Sequence, residues 1–500
     1  MIGERRTLAV IFSSILLLAT ATTRGADFYV DPAYAGSGSG QTDPFPTLGA
    51  ATAAANTAAG SHNVYIAEGT YADIANGGLE DFDAGGSNGI SVTRKINFYG
   101  GYAGYEGGAT FDWSTRQPRT SFIDLEGGNA RAFVNNYGTH VSTGPLFDGL
   151  AFQNANHSGD GGALLSSGGY GTTMFVNDCL FQDNTTSSSG GAVYLSASAS
   201  SGWIRNSDFQ NNTAANGGAL YWSPAYQHTH EVTDSRFEGN SATGAGGAIY
   251  VNEHSNSGVE PFIKKSRFIG NTAGSGGGAL FNRNGAGVEP LSVYQSLFSG
   301  NSAPVGAAAG GSSFWHGEYY FENILATNNT GGYAFYAQGN RVSGDYAFEF
   351  AHATVADNPG GGIYSRGDGL GLRVLNSILA NNGSTGINYN QSGGPAAELD
   401  YNDVWGHTTN YAGDASAGGN SMTQDPLFLD PTAGDFHLTE DSPVIDSGID
   451  LGVNIDLDEN PRPKGSGPEM GAFETPEPVA GYLLIIGVIM LLSTRAPHRS

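Results

Sequence analysis

The chain has 500 residues, of which 77 are glycine and only 14% are charged, and its formal net charge is −26. Glycine at this frequency without a Gly-X-Y period excludes collagen, and the regularly placed Phe, Val, Ile and Leu argue against a disordered polar chain. The acidic charge, which no basic stripe interrupts, argues against nucleic acid as a partner. A single cysteine, Cys179, excludes an intramolecular disulfide.

The N-terminus has the residue order of a secretory signal peptide. Arg5 and Arg6 precede an apolar run from Leu8 to Ala19, and small residues follow that run. This order predicts export, with residues 1–25 as the signal peptide. An uncleaved anchor helix is the alternative, although the run is short for a membrane span of about 20 residues.

Residues 26–145 are predicted to form an N-terminal cap and the first coils of a solenoid. Asp27 to Asp31 has the pattern of a strand, and an alanine-rich stretch from Thr47 to Ala59 predicts a helix with Thr47 as its N-cap. An open solenoid end exposes strand edges and apolar core, so a helix at this place would close it.

A repeat organises residues 146–410, and each clear copy has a phenylalanine followed three positions later by an asparagine. The five clear pairs are Phe181 and Asn184, Phe209 and Asn212, Phe237 and Asn240, Phe268 and Asn271, and Phe298 and Asn301. Degenerate copies begin at Leu325, Val355 and Leu379, with Asn328, Asn358 and Asn382 in the asparagine position. A Gly-Gly-Ala turn follows the asparagine in four of the clear copies.

Short β runs joined by Gly and Asn turns, without an apolar face at helical spacing, predict stacked β coils. Stacking at about 4.8 Å would place every phenylalanine over the next one in a buried column. The asparagines would bond from coil to coil and satisfy turn backbone groups, so we interpret both residue types as a structural ladder.

The Phe-x-x-Asn and Gly-Gly-Ala-Ile/Leu pattern resembles the repeats of polymorphic outer-membrane proteins and, more broadly, the pectate-lyase-like β-helix superfamily. The resemblance extends over residues 152–382. It implies an all-β fold, a single right-handed parallel β-helix, and no particular activity.

Residues 411–474 are similar to the choice-of-anchor Q domain, which ends β-helical surface proteins and precedes varied envelope anchors. The similarity lies in Asp425-Pro-Leu-Phe428, Ser442-Pro-Val-Ile-Asp446 and Glu469-Met-Gly-Ala-Phe-Glu474. It implies a set of C-terminal coils and a cap.

Residues 475–500 resemble a PEP-CTERM sorting tail. Pro476, Glu477 and Pro478 precede an apolar stretch from Val479 to Leu492, and basic residues follow. The resemblance implies processing by an exosortase and contact with the membrane through the tail, hence a place at the cell envelope or outer surface. A plain C-terminal membrane helix is the alternative.

Aromatic residues between the repeat landmarks are candidates for carbohydrate binding, because loops of a solenoid gather on one face and aromatic rings stack on sugars. They are Trp222, Tyr226, Trp315, Tyr319 and Tyr320. Core packing is the alternative for each of them.

Charged residues near the stacked phenylalanines form a second candidate set, either an exposed sheet face or the site of a lyase. They are Asp178, Asp208, Asp234, Arg236, Lys265 and Arg267. Arg116 and Arg119 form a further basic pair near the N-terminal cap.

Two segments carry spacings typical of metal sites. Asp456, Asp458 and Asn460 alternate like the oxygen ligands of a Ca²⁺ loop, although Pro461 stands where that loop needs glycine. His228 and His230 would share one face of a strand and, with Glu231 and Asp234 nearby, could hold a transition metal.

We therefore expect an exported envelope or matrix protein without catalytic activity, whose long β surface contacts exopolysaccharide or neighbouring surfaces. A polysaccharide lyase or hydrolase acting in a groove along the coils is the alternative. The sequence shows no Asn-Thr-Asp, paired Asp-Asp or Gly-His-Gly motif of the kind that polygalacturonase-like catalysis uses.

Overall fold

The computed structural model describes residues 24–34, 38, 43–72, 80–82, 89–104, 115–137, 144–168, 173–197, 202–224, 230–252, 261–283, 290–313, 319–340, 346–368, 371–393 and 395–475. Most of the predicted signal peptide and the whole PEP motif with its apolar tail lie outside these ranges. Within them, no helix has the length and apolar character needed to cross a membrane.

The described chain winds into a parallel β-solenoid whose coils contribute strands to four parallel sheets. Sheet 1 contains Arg24–Val30, Ser61–Ala67, Ile96–Tyr102, Leu146–Asp148, Met174–Asn177, Gly202–Arg205, His230–Thr233, Phe262–Lys264, Leu291–Tyr294, Tyr319–Glu322, Tyr346–Ala351, Gly371–Leu375 and Glu398–Asp400. Sheet 2 contains Gly69–Ala72, Ser121–Asp124, Leu150–Gln153, Leu180–Gln182, Asp208–Gln210, Arg236–Glu238, Arg267–Ile269, Leu297–Ser299, Leu325–Thr327, Thr354–Ala356, Ile378–Ala380 and Asp403–Trp405.

Two further sheets complete the coil before the chain returns to sheet 1. Sheet 3 contains the short strands Asn156–His157, Thr185–Thr186, Thr213–Ala214, Ser241–Ala242, Thr272–Ala273, Ser302–Ala303 and Thr330–Gly331. Sheet 4 contains Ile90–Val92, Phe133–Asn135, Leu164–Gly168, Val193–Ala197, Leu220–Ser223, Ile249–Asn252, Leu280–Arg283, Ala309–Ser313, Phe335–Asn340, Ile363–Asp368, Thr385–Ser392 and Thr409–Gly413. The predicted parallel β-helix is thus confirmed, while its right-handed winding stays a prediction.

A column of phenylalanine rings runs through the interior behind sheet 2. Phe181, Phe209, Phe237, Phe268 and Phe298 pair in register from coil to coil. Successive ring centroids lie 4.7–5.1 Å apart with planes within 10° of parallel. All five side chains are completely buried. Strand alternation sends the residues on either side of each ring toward the exterior.

Buried asparagines form a hydrogen-bonded ladder at the corner between sheets 2 and 3. The amide of Asn212 donates to the side-chain oxygen of Asn240 at 2.9 Å and to the carbonyl of Phe181 at 3.0 Å. The same pattern links Asn184, Asn240, Asn271 and Asn301 to their neighbours. Buried polar groups need such partners, so the ladder lets an uncharged polar column lie inside the shaft.

The ladder also corrects the alignment of one degenerate repeat. Ala326, not Leu325, pairs with Phe298, and Asn329, not Asn328, continues the asparagine ladder. Leu325 therefore faces outward from sheet 2. The sequence analysis assigned Leu325 to the core because the apolar residue three positions before the asparagine is a core residue in the clear copies.

Corners between sheets 1 and 2 place single residues in the left-handed region. Their φ values run from 46° to 54°, and the residues are Asp178, Asn206, Asp234, Lys265, Gln295, Asn323, His352, Asn376 and Tyr401. Such a bend turns the chain within one residue and points the corner side chain outward. The Gly-Gly-Ala turns need glycine for two reasons, since Gly190 has a φ of 71° and a Cβ on Gly191 would lie 2.0 Å from the carbonyl oxygen of Gly218.

A helix, α1 (Leu48–Thr57), closes the N-terminal end of the shaft. Thr47 caps it as predicted, accepting a hydrogen bond from the backbone of Ala50 at 3.2 Å. Leu48, Ala51 and Ala55 are fully buried and join the main core.

The C-terminal segment, residues 425–475, packs along the outer face of sheet 2 and does not only close the end of the shaft as the sequence indicated. It contains one antiparallel pair, Phe428–Asp430 with Asp435–Leu438, and a 3₁₀ turn, Pro431–Ala433. Its apolar side chains form a separate core with the outward residues of sheet 2. The members of this core include Leu325, Ala356, Ile378, Phe436, Val444, Met470 and Phe473.

Candidate functional site

The structure separates the five aromatic residues predicted to bind carbohydrate. Trp222 is 2% exposed and Tyr319 is 1% exposed, and both lie in the main core. These two side chains therefore pack inside the shaft, because strand alternation turns them inward and not into loops. Tyr320 points outward from sheet 1, whereas Tyr226 and Trp315 lie outside the described residues.

The outer face of sheet 1 carries an aromatic pair that the sequence analysis did not select. Phe175 and Trp203 are in-register neighbours with ring centroids 4.9 Å apart, and both are partly exposed. The guanidinium of Arg205 lies 4.4 Å from the Trp203 ring centroid. Arg205 also pairs with Glu231 on the next coil. The arrangement provides a fixed aromatic surface bordered by charged hydrogen-bonding groups.

A cleft of about 350 Å³ lies farther along the same face. Its walls are Tyr320, Glu349, Phe350, Ala351, Arg373, Leu375 and Leu451. Leu451 belongs to the C-terminal segment, so the cleft forms where that segment meets sheet 1. The volume falls within the range typical of small-molecule sites.

Ionic contacts organise the polar wall of this cleft. Arg373 lies 3.4 Å from a carboxylate oxygen of Glu349 and 3.0 Å from one of Glu398. The hydroxyl of Tyr320 donates to Glu322 at 2.7 Å. Burial raises the pKa of Glu322 above its ordinary value, against the opposing influence of the Tyr320 hydrogen bond. The cleft thus offers hydrogen-bond donors and acceptors beside the apolar side chains of Leu375 and Leu451.

Arg119 joins two candidate sets that the sequence analysis treated separately. Its guanidinium lies 3.1 Å from a carboxylate oxygen of Asp178 and 2.6 Å from one of Asp208. It also donates to the backbone carbonyl of Asn206 at 2.6 Å. One cation therefore ties the N-terminal loop to three neighbouring residues of the solenoid, and this role as a clamp accounts for all of its contacts.

Strand alternation also separates the residues proposed for a transition metal. His230 is 2% exposed and packs against Trp222, whereas Glu231 on the opposite face pairs with Arg205. His228 lies outside the described residues. No group of three His, Cys, Asp or Glu side chains within the described ranges is placed to hold a metal ion.

The predicted Ca²⁺ loop has its oxygens committed to other contacts. Fully buried Asp456 accepts from the backbone of Asn460 at 2.7 Å and from that of Glu474 at 2.8 Å. The side-chain amide of Asn460 donates to Asp456 at 3.1 Å, and Asp458 lies 2.7 Å from His437. A calcium site needs several oxygens free to converge on the ion, and this turn does not supply them.

One signal in the sequence would have identified the sheet 1 surface. Each sheet 1 strand has a buried aliphatic or aromatic residue, such as Val176 or Ile204, flanked by two outward positions. Phe175 and Trp203 occupy the first of these positions, where an apolar ring is not needed for the core. Aligning this outward position from coil to coil in the sequence would have predicted the aromatic surface.

The fold and this surface together define a parallel β-solenoid with a laterally packed C-terminal segment and a partly aromatic outer face. Three stretches match the family model described as the Chlamydia polymorphic membrane protein (Chlamydia_PMP) repeat, at residues 178–196, 234–252 and 265–283. Each stretch begins at a left-handed corner residue and ends in a strand of sheet 4. The matched repeat therefore corresponds to most of one coil. No curated protein matches the chain.

Two solved structures match the chain at low sequence identity. One is titled "The complex structure of XylC with xylose", with 11% identity, a TM-score of 0.47, and coverage of 90% of this chain and 99% of that chain. The other is titled "Rhamnogalacturonan lyase", with 13% identity, a TM-score of 0.35, and coverage of 81% of this chain and 91% of that chain.

Proposed function

We propose that the chain is an exported protein of the cell envelope that binds polysaccharide on the outer face of sheet 1 without cleaving it. The observation that carries this proposal is the partly exposed pair of Phe175 and Trp203, held on two rigid strands with Arg205 beside it. Fixed rings of this kind offer a flat apolar surface to the C–H face of a sugar at little entropic cost. The matches to a polymorphic membrane protein repeat support a location at the cell surface.

The test is a binding measurement on the full chain with a panel of soluble acidic and neutral glycans. The double variant Phe175→Ala/Trp203→Ala should lose most of the affinity for the glycan that binds. The matched control is Tyr336→Ala/Tyr364→Ala. It removes from sheet 4 a partly exposed ring pair whose centroids are 5.1 Å from each other. Equal losses in both double variants would contradict the proposed surface.

The same incubations distinguish binding from catalysis. Reducing ends and unsaturated products are measured after prolonged contact with each glycan, since hydrolases release the first and lyases the second. We expect neither to rise above the buffer control. Sustained turnover that the cleft variant Glu349→Gln abolishes would replace the binding proposal with the enzymatic alternative.

We also propose that the ends of the chain direct it to the envelope, by a signal peptide at residues 1–25 and an exosortase-processed tail at 475–500. Pro476, Glu477 and Pro478 precede the apolar stretch, as in the sorting tails that they resemble. Replacing all three residues by alanine should leave an unprocessed, membrane-retained form, detected by fractionation and intact mass. A processed form in the variant would sink this part of the proposal.

A further inference from the structure

The first outward column of sheet 1 connects the aromatic pair with the cleft. Strand register places the members of the column side by side on successive coils. They are Phe175, Trp203, Glu231, Phe262, Ser292, Tyr320, Glu349 and Arg373. With about 4.8 Å between neighbouring strands, the five steps from Trp203 to Glu349 cover about 24 Å. The two sites therefore lie on one line parallel to the axis of the solenoid.

The spacing of this line suits a polymer of sugar rings. Strands repeat along the axis at a distance close to that between successive pyranose rings in an extended chain. Between the two sites the side chains of Phe262 and Tyr320 are partly exposed, whereas Glu231 is 7% exposed and Ser292 is fully buried. A ligand that extends from the aromatic pair to the cleft would therefore meet an exposed side chain of the column at about every second sugar. A globular or strongly bent ligand would contact only one of the two sites.

The charges of the face favour a polymer without carboxylates. Both arginines of the face are paired with carboxylates: Arg205 pairs with Glu231, and Arg373 pairs with Glu349 and Glu398. Lys264, a third cation of the face, acts electrostatically on Glu322. A uronate would have to displace one of these carboxylates from its cation and approach a chain with a formal net charge of −26. An uncharged sugar can instead donate hydroxyls to Glu349 and accept from Arg373 while both stay paired.

The cleft gives the line a defined end. Leu451 of the C-terminal segment and Leu375 supply its apolar lining, beside the paired charges of Glu349 and Arg373. A sugar ring has an apolar C–H face and a rim of hydroxyls, which matches this mixed lining. Because the C-terminal segment borders the cleft at Leu451, the ligand would end there with a terminal sugar residue.

We infer that sheet 1 binds an uncharged linear polysaccharide parallel to the solenoid axis, with a chain end in the Tyr320–Arg373 cleft and later sugars stacked on Trp203 and Phe175. This inference rests on the proposed function and adds the ligand class, its direction and two subsites. Two linked subsites make the second contact intramolecular, so affinity depends on whether the ligand is long enough to reach both.

Calorimetric titration of the full chain tests this geometry. The probes are cellohexaose, mannohexaose and maltohexaose, the disaccharide that corresponds to each, and hexagalacturonate as the charged chain. We expect one neutral hexasaccharide to bind at least about tenfold more tightly than its disaccharide, and hexagalacturonate to bind at least about tenfold more weakly than that hexasaccharide.

Two single variants locate the subsites. Trp203→Ala should remove the advantage of the hexasaccharide and leave disaccharide binding unchanged, because a disaccharide in the cleft does not reach the aromatic pair. Arg373→Ala should weaken both ligands by a similar factor. Tyr364→Ala, on sheet 4, is the control and should change neither, and circular dichroism checks that each variant is folded.

The outcomes separate this inference from the proposed function. Binding that is independent of chain length, that prefers hexagalacturonate, or that Trp203→Ala leaves intact would overturn the axial geometry while glycan binding stands. If no glycan in either panel binds, both proposals fail.

Discussion

Two stretches of sheet 2 differ in what contacts the same outward repeat position. The residue before the stacked core position is Asp208, Arg236 or Arg267 in the earlier coils, where it contacts charged neighbours or solvent. In later coils the same position holds Leu297, Leu325, Thr354 or Ile378, over which the C-terminal segment packs. The core column behind these residues is continuous through both stretches. A solenoid can therefore change the partner of its outer face without changing its interior.

The corner residues show the same division. Asp178 binds the guanidinium of Arg119 in the early coils. In the later coils, the side chain of Asn323 donates to the carbonyl of Ile455 at 2.7 Å, and that of Asn376 exchanges hydrogen bonds with the backbone of Ile449. Corner amides at Asn323 and Asn376 thus supply hydrogen bonds to the C-terminal segment where it covers the shaft. We call the later coils, over which the C-terminal segment packs, the covered stretch, and the earlier coils the uncovered stretch. Substitutions at contacts with the C-terminal segment should destabilise the covered stretch, whereas matched substitutions in the uncovered stretch should have little effect.

The largest difference in stability between the covered and uncovered stretches is expected on breaking the buried ion pair of the C-terminal segment. Arg462 and Glu474 have side chains 1% and 0% exposed and approach to 2.9 Å. Arg462→Met should lower the free energy of local unfolding of residues 425–475 by about 3–5 kcal/mol, because it leaves a buried carboxylate without its cation. Hydrogen exchange of that segment measures the loss.

The matched control for this prediction lies in the uncovered stretch. Arg236 pairs with Glu238, and the two side chains are 38% and 39% exposed. Arg236→Met should cost less than about 1 kcal/mol, since solvent screens an exposed pair. Similar losses in the two variants would contradict the distinction between the two stretches.

A smaller difference in stability is expected at the outward position of sheet 2 that Leu325 occupies. Leu325 is 6% exposed beneath the C-terminal segment. Leu325→Ala should destabilise the contact by about 2–3 kcal/mol, near the lower end for buried leucine, because the segment can relax toward the cavity. Arg267→Ala, at the same repeat position but with an exposed side chain, should stay within about 0.5 kcal/mol. Denaturant unfolding followed by proteolysis of the C-terminal segment compares the two variants.

The interior of this fold could be predicted from the sequence because identical demands recur in every coil. The column from Phe181 to Phe298 and the asparagines three positions later repeat without interruption, and each must satisfy the same packing and hydrogen-bonding conditions. The helix that follows Thr47 could be predicted because its cap and composition are local signals.

The exterior was harder to predict because its partners are distant in sequence. Leu325 looks like a core residue until residues more than a hundred positions later are known to cover it. Trp222 looks like a loop residue unless its strand is aligned with Val251 on the next coil, which turns it inward. The aromatic pair on sheet 1 is visible only when residues from successive coils are read as a column.

A pH-dependent effect concerns one carboxyl group inside the covered stretch. Glu469 is fully buried, and its carboxyl lies near that of Glu474, whose oxygen also accepts from the backbone of Glu469 at 3.2 Å. Burial, and then the neighbouring carboxyl, raise the pKa of Glu469 from 4.5 to about 9. The folded protein therefore keeps a proton that the unfolded chain releases, so stability falls as the pH rises from about 4.5 toward about 9.

Glu469→Gln should remove this dependence, because glutamine resembles the protonated acid and carries no charge to ionise. We expect the variant to be nearly as stable as the parent near pH 5 and increasingly more stable than the parent as the pH rises toward 8.5. The difference between the two proteins reports on Glu469 together with Glu474, because each of these neighbouring carboxyls shifts the titration of the other. A variant that loses the same stability at both pH values would show that Glu469 is ionised in the folded chain, and that Arg462 balances two carboxylates where the contacts above assign it one.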